Sequence, residues 1–256
     1  MKIKKLISAL VLSSMLVGLS GCNITDFSAE NLLRPPKAVG DEAEIEQLIA
    51  KTADSGYTLK YPKNGKFRSA IIMTDLDGND SNEAVAFFRN SAETSSVHML
   101  VMYSKDNSWE IASDNIFETT DIDSVDFADL TGNGKAEIIV NSTTYTPNVG
   151  KLSCYSYSEG KTNEVGSGQS CSSFVTGDFD NDGTSEIMSL VLYTTENEAL
   201  ASMLDYNEDS KSLYAKAMAN IRESITALKL ITSTRIMLST NTSAQTIMIP
   251  IESRLP

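Results

Sequence analysis

Three stretches of this chain gather side-chain oxygens at one spacing. The first runs Asp75-Leu76-Asp77-Gly78-Asn79-Asp80-Ser81-Asn82-Glu83. The second runs Asp129-Leu130-Thr131-Gly132-Asn133-Gly134-Lys135-Ala136-Glu137. The third runs Asp178-Phe179-Asp180-Asn181-Asp182-Gly183-Thr184-Ser185-Glu186. Numbered from its leading aspartate, each carries an oxygen-bearing side chain at positions 1, 3 and 5 and a glutamate at position 9. A set of hard oxygens in one short loop is suited to a hard cation. Calcium takes six to eight oxygens at roughly 2.3–2.6 Å. Alternate residues of a tight loop point inward together. Position 7 (Ser81, Lys135, Thr184) is placed to offer a backbone carbonyl, and the glutamate closes the shell. Glycine at position 6 permits a positive-φ turn; the first loop has Asp80 there, which tolerates that conformation less well.

An EF-hand loop requires a glutamate at position 12. Here position 12 is Ala86, Val140 and Ser189, so that loop is excluded.

The motifs resemble FG-GAP or VCBS repeats, the calcium-loop repeats of integrin-α-like β-propellers, in which an acidic hairpin loop joins two strands of a blade. The leading aspartates stand 54 and 49 residues apart, near the length of one four-stranded blade. The resemblance covers residues 60–210. It implies a mainly β fold of propeller-like, four-stranded antiparallel blades, partial or few-bladed, with bound Ca2+. Most propellers of this kind need about seven blades, and this chain has room for about four, the last without an acidic loop. The loops are unequal. The third offers four carboxylates (Asp178, Asp180, Asp182, Glu186) and is expected to bind most tightly. The first offers Asp75, Asp77 and Glu83 beside the neutral Asn79 and ranks second. The second keeps only Asp129 and Glu137, with Thr131 and Asn133 at positions 3 and 5, and ranks last.

The elements that must position these loops are short. β-branched, alternating runs occur at Ser69–Met73, Ala84–Phe88, His98–Tyr103, Ile138–Asn141, Lys151–Tyr157, Glu186–Tyr193 and Leu200–Tyr206, with a hairpin turn at Asn207–Lys211. Residues 218–231 fit helix or strand equally, and 234–251 reads as two further strands. Ahead of them, acids at Asp41, Glu42 and Glu44 open a helix over 41–56. Its stripe of Ile45, Leu48, Ile49 and Ala53 is a packing face, and Gly56 closes it. A repeat domain is expected over 57–256.

Other candidate chemistry is sparse. The single histidine, His98, lies inside an alternating strand, which rules out a zinc site built on two histidines. No Gly-x-Ser-x-Gly elbow accompanies it. Gly166-Ser167-Gly168 reads as a flexible turn without the Lys-Ser/Thr of a phosphate loop. Trp109 and Tyr103 read as core. Cys154 and Cys171 flank the turn-like Ser158–Asn163, and a hairpin there would allow a disulfide; two free buried thiols are the alternative.

Lys2, Lys4 and Lys5 precede an apolar stretch from Leu6 to Leu19 that is too short to span a bilayer comfortably. It ends in Leu19-Ser20-Gly21-Cys22, which resembles the lipobox read by lipoprotein signal peptidase. The resemblance implies a signal peptide over 1–21, a mature chain beginning at a lipidated Cys22, and residues 22–40, with Pro35-Pro36, as a spacer from the membrane. Cell-envelope placement is expected, on the outer side of the cytoplasmic membrane or on the outer membrane. Removing residues 1–21 takes away three lysines and no acids, deepening a formal charge of −13 by three. A surface this acidic repels nucleic acid and suits cation binding. The composition is that of a globular chain. The expected function is a surface-tethered, calcium-binding scaffold for an unidentified protein or glycan partner, without catalysis. The alternatives are a hydrolase with its site at the propeller mouth and a purely structural envelope protein.

Overall fold

A computed structural model describes residues 40–222 apart from 55, 94, 147 and 194–197, together with strands 236–240 and 243–247. Residues 1–39, which include the expected signal peptide, Cys22 and all of the expected spacer but Gly40, lie outside the described residues.

The protein is mainly β. Helix α1 (Asp41–Ala53) begins after Gly40 with its acids in the first turn and Lys51 in the last, matching charge to the helix dipole at both ends. It stops three residues short of the expected end, because Asp54 already takes a left-handed conformation (φ 54°). Ile45, Ile49 and Ala53 are buried at helical spacing, as expected of a packing face.

Three antiparallel meanders follow, with strands adjacent in chain order. The first holds β1 (Tyr57–Leu59), β2 (Ile71–Thr74), β3 (Glu83–Asn90), β4 (Val97–Lys105) and β5 (Ser108–Phe117). Both β1 and β2 pair with the same edge of β3, so they are one strand position interrupted by residues 61–69. The second sheet is β6 (Ile122–Ala128), β7 (Glu137–Thr143), β8 (Gly150–Ser158) and β9 (Lys161–Cys171). The third is β10 (Ser173–Gly177), β11 (Glu186–Tyr193), β12 (Glu198–Asn207) and β13 (Ser212–Arg222). A hairpin of β14 (Ile236–Thr240) and β15 (Ser243–Ile247) forms the two late strands. The ambiguous run from residue 218 is strand as far as Arg222.

The sheets stack face to face, in blade-like fashion. Val85 and Phe87 of the first sheet meet Ile138 and Val140 of the second in one core. Ile139 and Cys154 of the second meet Ile187 and Leu204 of the third in another. The second strand of each sheet is thereby buried on both faces, and its first six residues are all buried in β3, β7 and β11 alike. That accounts for apolar runs where a half-exposed strand would alternate. The remaining face of the first sheet, with Ala84, Ala86, Phe88 and Leu100, is covered by α1.

Lys60 and Ala70 still bond Phe87 of β3, each at 2.8 Å, and the residues between them, 61–69, leave the first sheet and fasten onto the second. Lys63 and Asn64 donate backbone N–H bonds to Ile122 and Asp123 of β6 at 3.2 and 2.8 Å. Lys60 and Lys63 pair with Asp121 at 2.7 and 3.1 Å, and Lys66 pairs with Asp126 at 2.7 Å. Phe67 stands edge-on to Phe127.

Two expectations are corrected. Gly166–Gly168 is not a turn but lies within β9. Gly168 (φ 84°) falls at a register shift, and a Cβ at Gly166 would meet Leu213 at 2.9 Å, so each glycine answers a local need. Cys154 and Cys171 are both free and buried. The register sets Cys171 against Gly150, four residues along β8 from Cys154. That is about 13 Å of strand, beyond the roughly 7 Å a disulfide tolerates.

Candidate metal centre

Each acidic loop joins the first strand of a sheet to its second: β2 to β3, β6 to β7 and β10 to β11. The position-9 glutamates begin the second strands and are buried. In every copy one glutamate oxygen accepts the N–H of position 2 at 2.8 Å, from Leu76, Leu130 and Phe179. This bond draws the loop back onto its own strand.

The leading aspartates hold the turn. Asp75 accepts from the N–H groups of Gly78, Asn79 and Asp80, and Asp129 from those of Gly132, Asn133 and Gly134. Asp178 accepts from Asp182 and Gly183. Position 5 accepts the N–H of position 7 throughout: Asn79 from Ser81 at 2.7 Å, Asn133 from Lys135 and Asp182 from Thr184 at 2.8 Å. Position 6 is left-handed in all three, at Asp80, Gly134 and Gly183, and so is position 4, at Gly78, Gly132 and Asn181. The requirement at position 4 was not anticipated. Its signal was present in the sequence as glycine or asparagine in every copy, the residues that enter this region most readily.

The loops also abut one another. Ala136 of the second donates its N–H to the Leu76 carbonyl of the first at 3.0 Å, and Ser185 of the third to the Asp129 carbonyl of the second at 2.8 Å. A Cβ at Gly78 would lie 3.2 Å from the Gly134 carbonyl. Sheet stacking thus lines the three loops in a row.

Acidic oxygens converge in two of them. One carboxylate oxygen from each of Asp178, Asp180, Asp182 and Glu186 lies within 4.8 Å of the others, and the same holds for Asp75, Asp77 and Glu83. Oxygens sharing one calcium ion can be no more than about 5 Å apart, so both sets fit a single cation. Asp77 Oδ1 and Glu186 Oε1 are buried and accept no hydrogen bond. An orphaned buried carboxylate oxygen is costly unless a donor or a cation meets it, and these two sit within the converging sets.

Electrostatics point the same way. Burial pushes Glu83, Glu137 and Glu186 above the ordinary glutamate value, although a backbone N–H bond pulls each down. Neighbouring carboxylates add to the rise: Asp77 and Asp75 for Glu83, Asp129 for Glu137, and Asp180, Asp182 and Asp205 for Glu186. Desolvation acts upward on Asp75 too, but four backbone N–H groups together hold it below its usual value.

The second loop differs. Thr131 donates its hydroxyl to Glu137 Oε1 at 3.3 Å, so the glutamate's second oxygen has a donor within the protein. Asp129, Asn133 and Lys135 keep the shared turn geometry without a third carboxylate.

His98 is buried, stacked on Phe88, and held through Nδ1 by Asp114 at 2.9 Å. Trp109 is in the core beneath α1. Tyr103 is half-buried and donates to Glu110 at 2.6 Å. Among the described residues no helix is long and apolar enough to cross a membrane. No protein-family model matches the chain and no curated protein matches it, so the chemistry of the site is read from its own geometry.

Proposed function

We propose that this chain is a calcium-stabilised scaffold of the cell envelope, tethered by lipid at Cys22 and presenting a stack of β-sheets to a protein or glycan partner. The observation that carries the cation reading is the pair of buried, donorless carboxylate oxygens, Asp77 Oδ1 and Glu186 Oε1, inside two converging carboxylate sets. Calcium fits better than the softer transition metals because every donor is oxygen and neither histidine nor cysteine joins the sets. It fits better than magnesium because several protein oxygens converge from one irregular loop, whereas magnesium keeps most of its waters. Asp75, Asp77 and Glu83 would hold one ion, and Asp178, Asp180, Asp182 and Glu186 another. A bound ion supplies positive charge between crowded carboxylates and fixes the loops where the sheets abut.

The tether rests on the three lysines, the apolar stretch and Leu19-Ser20-Gly21-Cys22. The partner class rests on the acidic surface, which disfavours nucleic acid, and on the resemblance to repeat scaffolds. Capture from native envelopes by the full-length chain, with calcium and with chelator, tests the scaffold reading. It predicts a partner retained in calcium and lost in chelator; identical captures in both would refute it. Labelled palmitate should enter the wild type and not Cys22→Ala.

A further inference from the structure

The fourth strand of each sheet bulges by one residue at the same step. Val101 pairs with Ser113 and Met102 with Ile111, leaving Ala112 out. Cys154 pairs with Gly166 and Tyr155 with Glu164, leaving Val165 out. Met203 pairs with Ala217 and Leu204 with Ala215, leaving Lys216 out. In the first two sheets the extra residue is apolar and packs into the core shared with the following sheet: Ala112 against the first intersheet core, Val165 within the second. In the third sheet the same position is a lysine. Its ammonium turns to the acidic loop of its own sheet and bonds Asp180 Oδ2, and also Asp205 Oδ2 at 2.8 Å. Tyr214 holds Asp205 from the side, donating to Oδ2 at 3.2 Å.

The three loops therefore treat position 3 in three ways. Thr131 is a hydroxyl that caps Glu137. Asp180 is a carboxylate already paired with an ammonium. Asp77 is a carboxylate with a buried, donorless oxygen, and what acts on its loop partners Asp75 and Glu83 is burial, backbone N–H groups and, for Glu83, the two aspartates, with no ammonium or guanidinium among them. Counting carboxylates ranks the third loop first. Setting Asp180 aside as already paired leaves three free carboxylates in each loop, and only in the third must a bound ammonium give way before the full set can close on an ion.

We propose that Lys216 is a tethered counter-cation of the third loop, so that the first loop is the tighter calcium site and calcium enters the third only by displacing Lys216 from Asp180. The proposal rests on the cation reading above. The two positive charges compete for one carboxylate, and Glu186 Oε1, buried without a donor, is what draws the soluble ion in. The displaced ammonium keeps Asp205 as its partner, so the exchange does not strand a charge.

Calorimetric titration of the full-length chain with calcium chloride tests this, using wild type, Lys216→Met, Lys216→Arg and Asp77→Asn. Wild type should show one tighter and one weaker site. Lys216→Met should tighten the weaker site by up to roughly fivefold, the scale of losing a partly exposed ion pair as competitor. Lys216→Arg, which keeps the charge, should leave it weak, and Asp77→Asn should remove the tighter site. Unchanged affinities in Lys216→Met, or loss of the weaker site in Asp77→Asn, would overturn the proposal while leaving calcium binding intact. The absence of binding to wild type would overturn the cation reading and this proposal together.

Discussion

Thr131 donates to Glu137 across the second loop at 3.3 Å, and in doing so supplies from within the chain the donor that Glu186 Oε1 lacks in the third loop and Asp77 Oδ1 lacks in the first. A hydroxyl hydrogen stands where those loops have a converging acid. Replacing it with an acid should create a third converging set from Asp129, the new carboxylate and Glu137. Thr131→Asp is therefore expected to melt lower than wild type in chelator and to gain more from calcium. Equal calcium gains in the two proteins would contradict the role given to Thr131.

Glu186 gives a prediction whose sign depends on the ion. Burial and three nearby aspartates raise its pKa, so its ionised form opposes folding of the metal-free protein. A glutamate with a raised native pKa favours the fold most at low pH, and that contribution is lost as pH rises past the native value. At pH 7 in chelator, Glu186→Gln should raise the melting temperature by about 2–4 °C, corresponding to roughly 1 kcal/mol in a chain of this size. In calcium the same substitution should lower it, since one ligand charge is gone. A shift of the same sign in both conditions would refute this account of the carboxylate.

The latch between the first two sheets should titrate. Desolvation acts upward on Asp121, but hydrogen bonds and charge from Lys60 and Lys63 outweigh it and hold its pKa below the ordinary 3.8. Its stabilising contribution is present above that value and is lost as pH falls through the lowered one. Asp121→Asn should cost about 1 kcal/mol at pH 7, the upper end for partly exposed pairs. Urea unfolding of both proteins should show the gap narrowing below pH 3.8. A gap that stays constant with pH would mean the charge is not what Asp121 contributes.

The two core cysteines should be inert thiols. Burial pushes Cys171 up to about 12, and Cys154 is raised as well. Mass spectrometry after alkylation should find both unmodified in the folded protein and both modified in unreduced denaturant. A denatured protein that resists alkylation at these positions would restore the disulfide.

The acidic loops were legible because their chemistry is local: a nine-residue spacing fixes the turn, and Asp75, Asp129 and Asp178 bond N–H groups only a few residues away. The apolar runs after Glu83, Glu137 and Glu186 were legible for the same reason, since strands buried on both faces need no alternation. What the sequence did not disclose depends on register. Strands β5 and β9 are exposed along much of their length and carry polar residues throughout, so no pattern marks them. Lys216 reaches Asp180 only because a bulge turns it there, 36 residues away along the chain. Residues 61–69 gave no sign that they would leave one sheet for another, because Lys60 and Lys63 find their partner only once the sheets are stacked.

The central claim is that a cation held by these loops stabilises the fold, and thermal unfolding of the full-length protein in calcium and in chelator tests it most directly. Binding to the folded state alone adds about 2.7 kcal/mol at a hundredfold excess over Kd, which corresponds to roughly 5–10 °C for a chain of this size. A melting temperature higher in calcium by that amount, with the difference much reduced in an Asp77→Asn, Asp180→Asn double variant, is the expected result. Superimposable melting curves in calcium and chelator would contradict it.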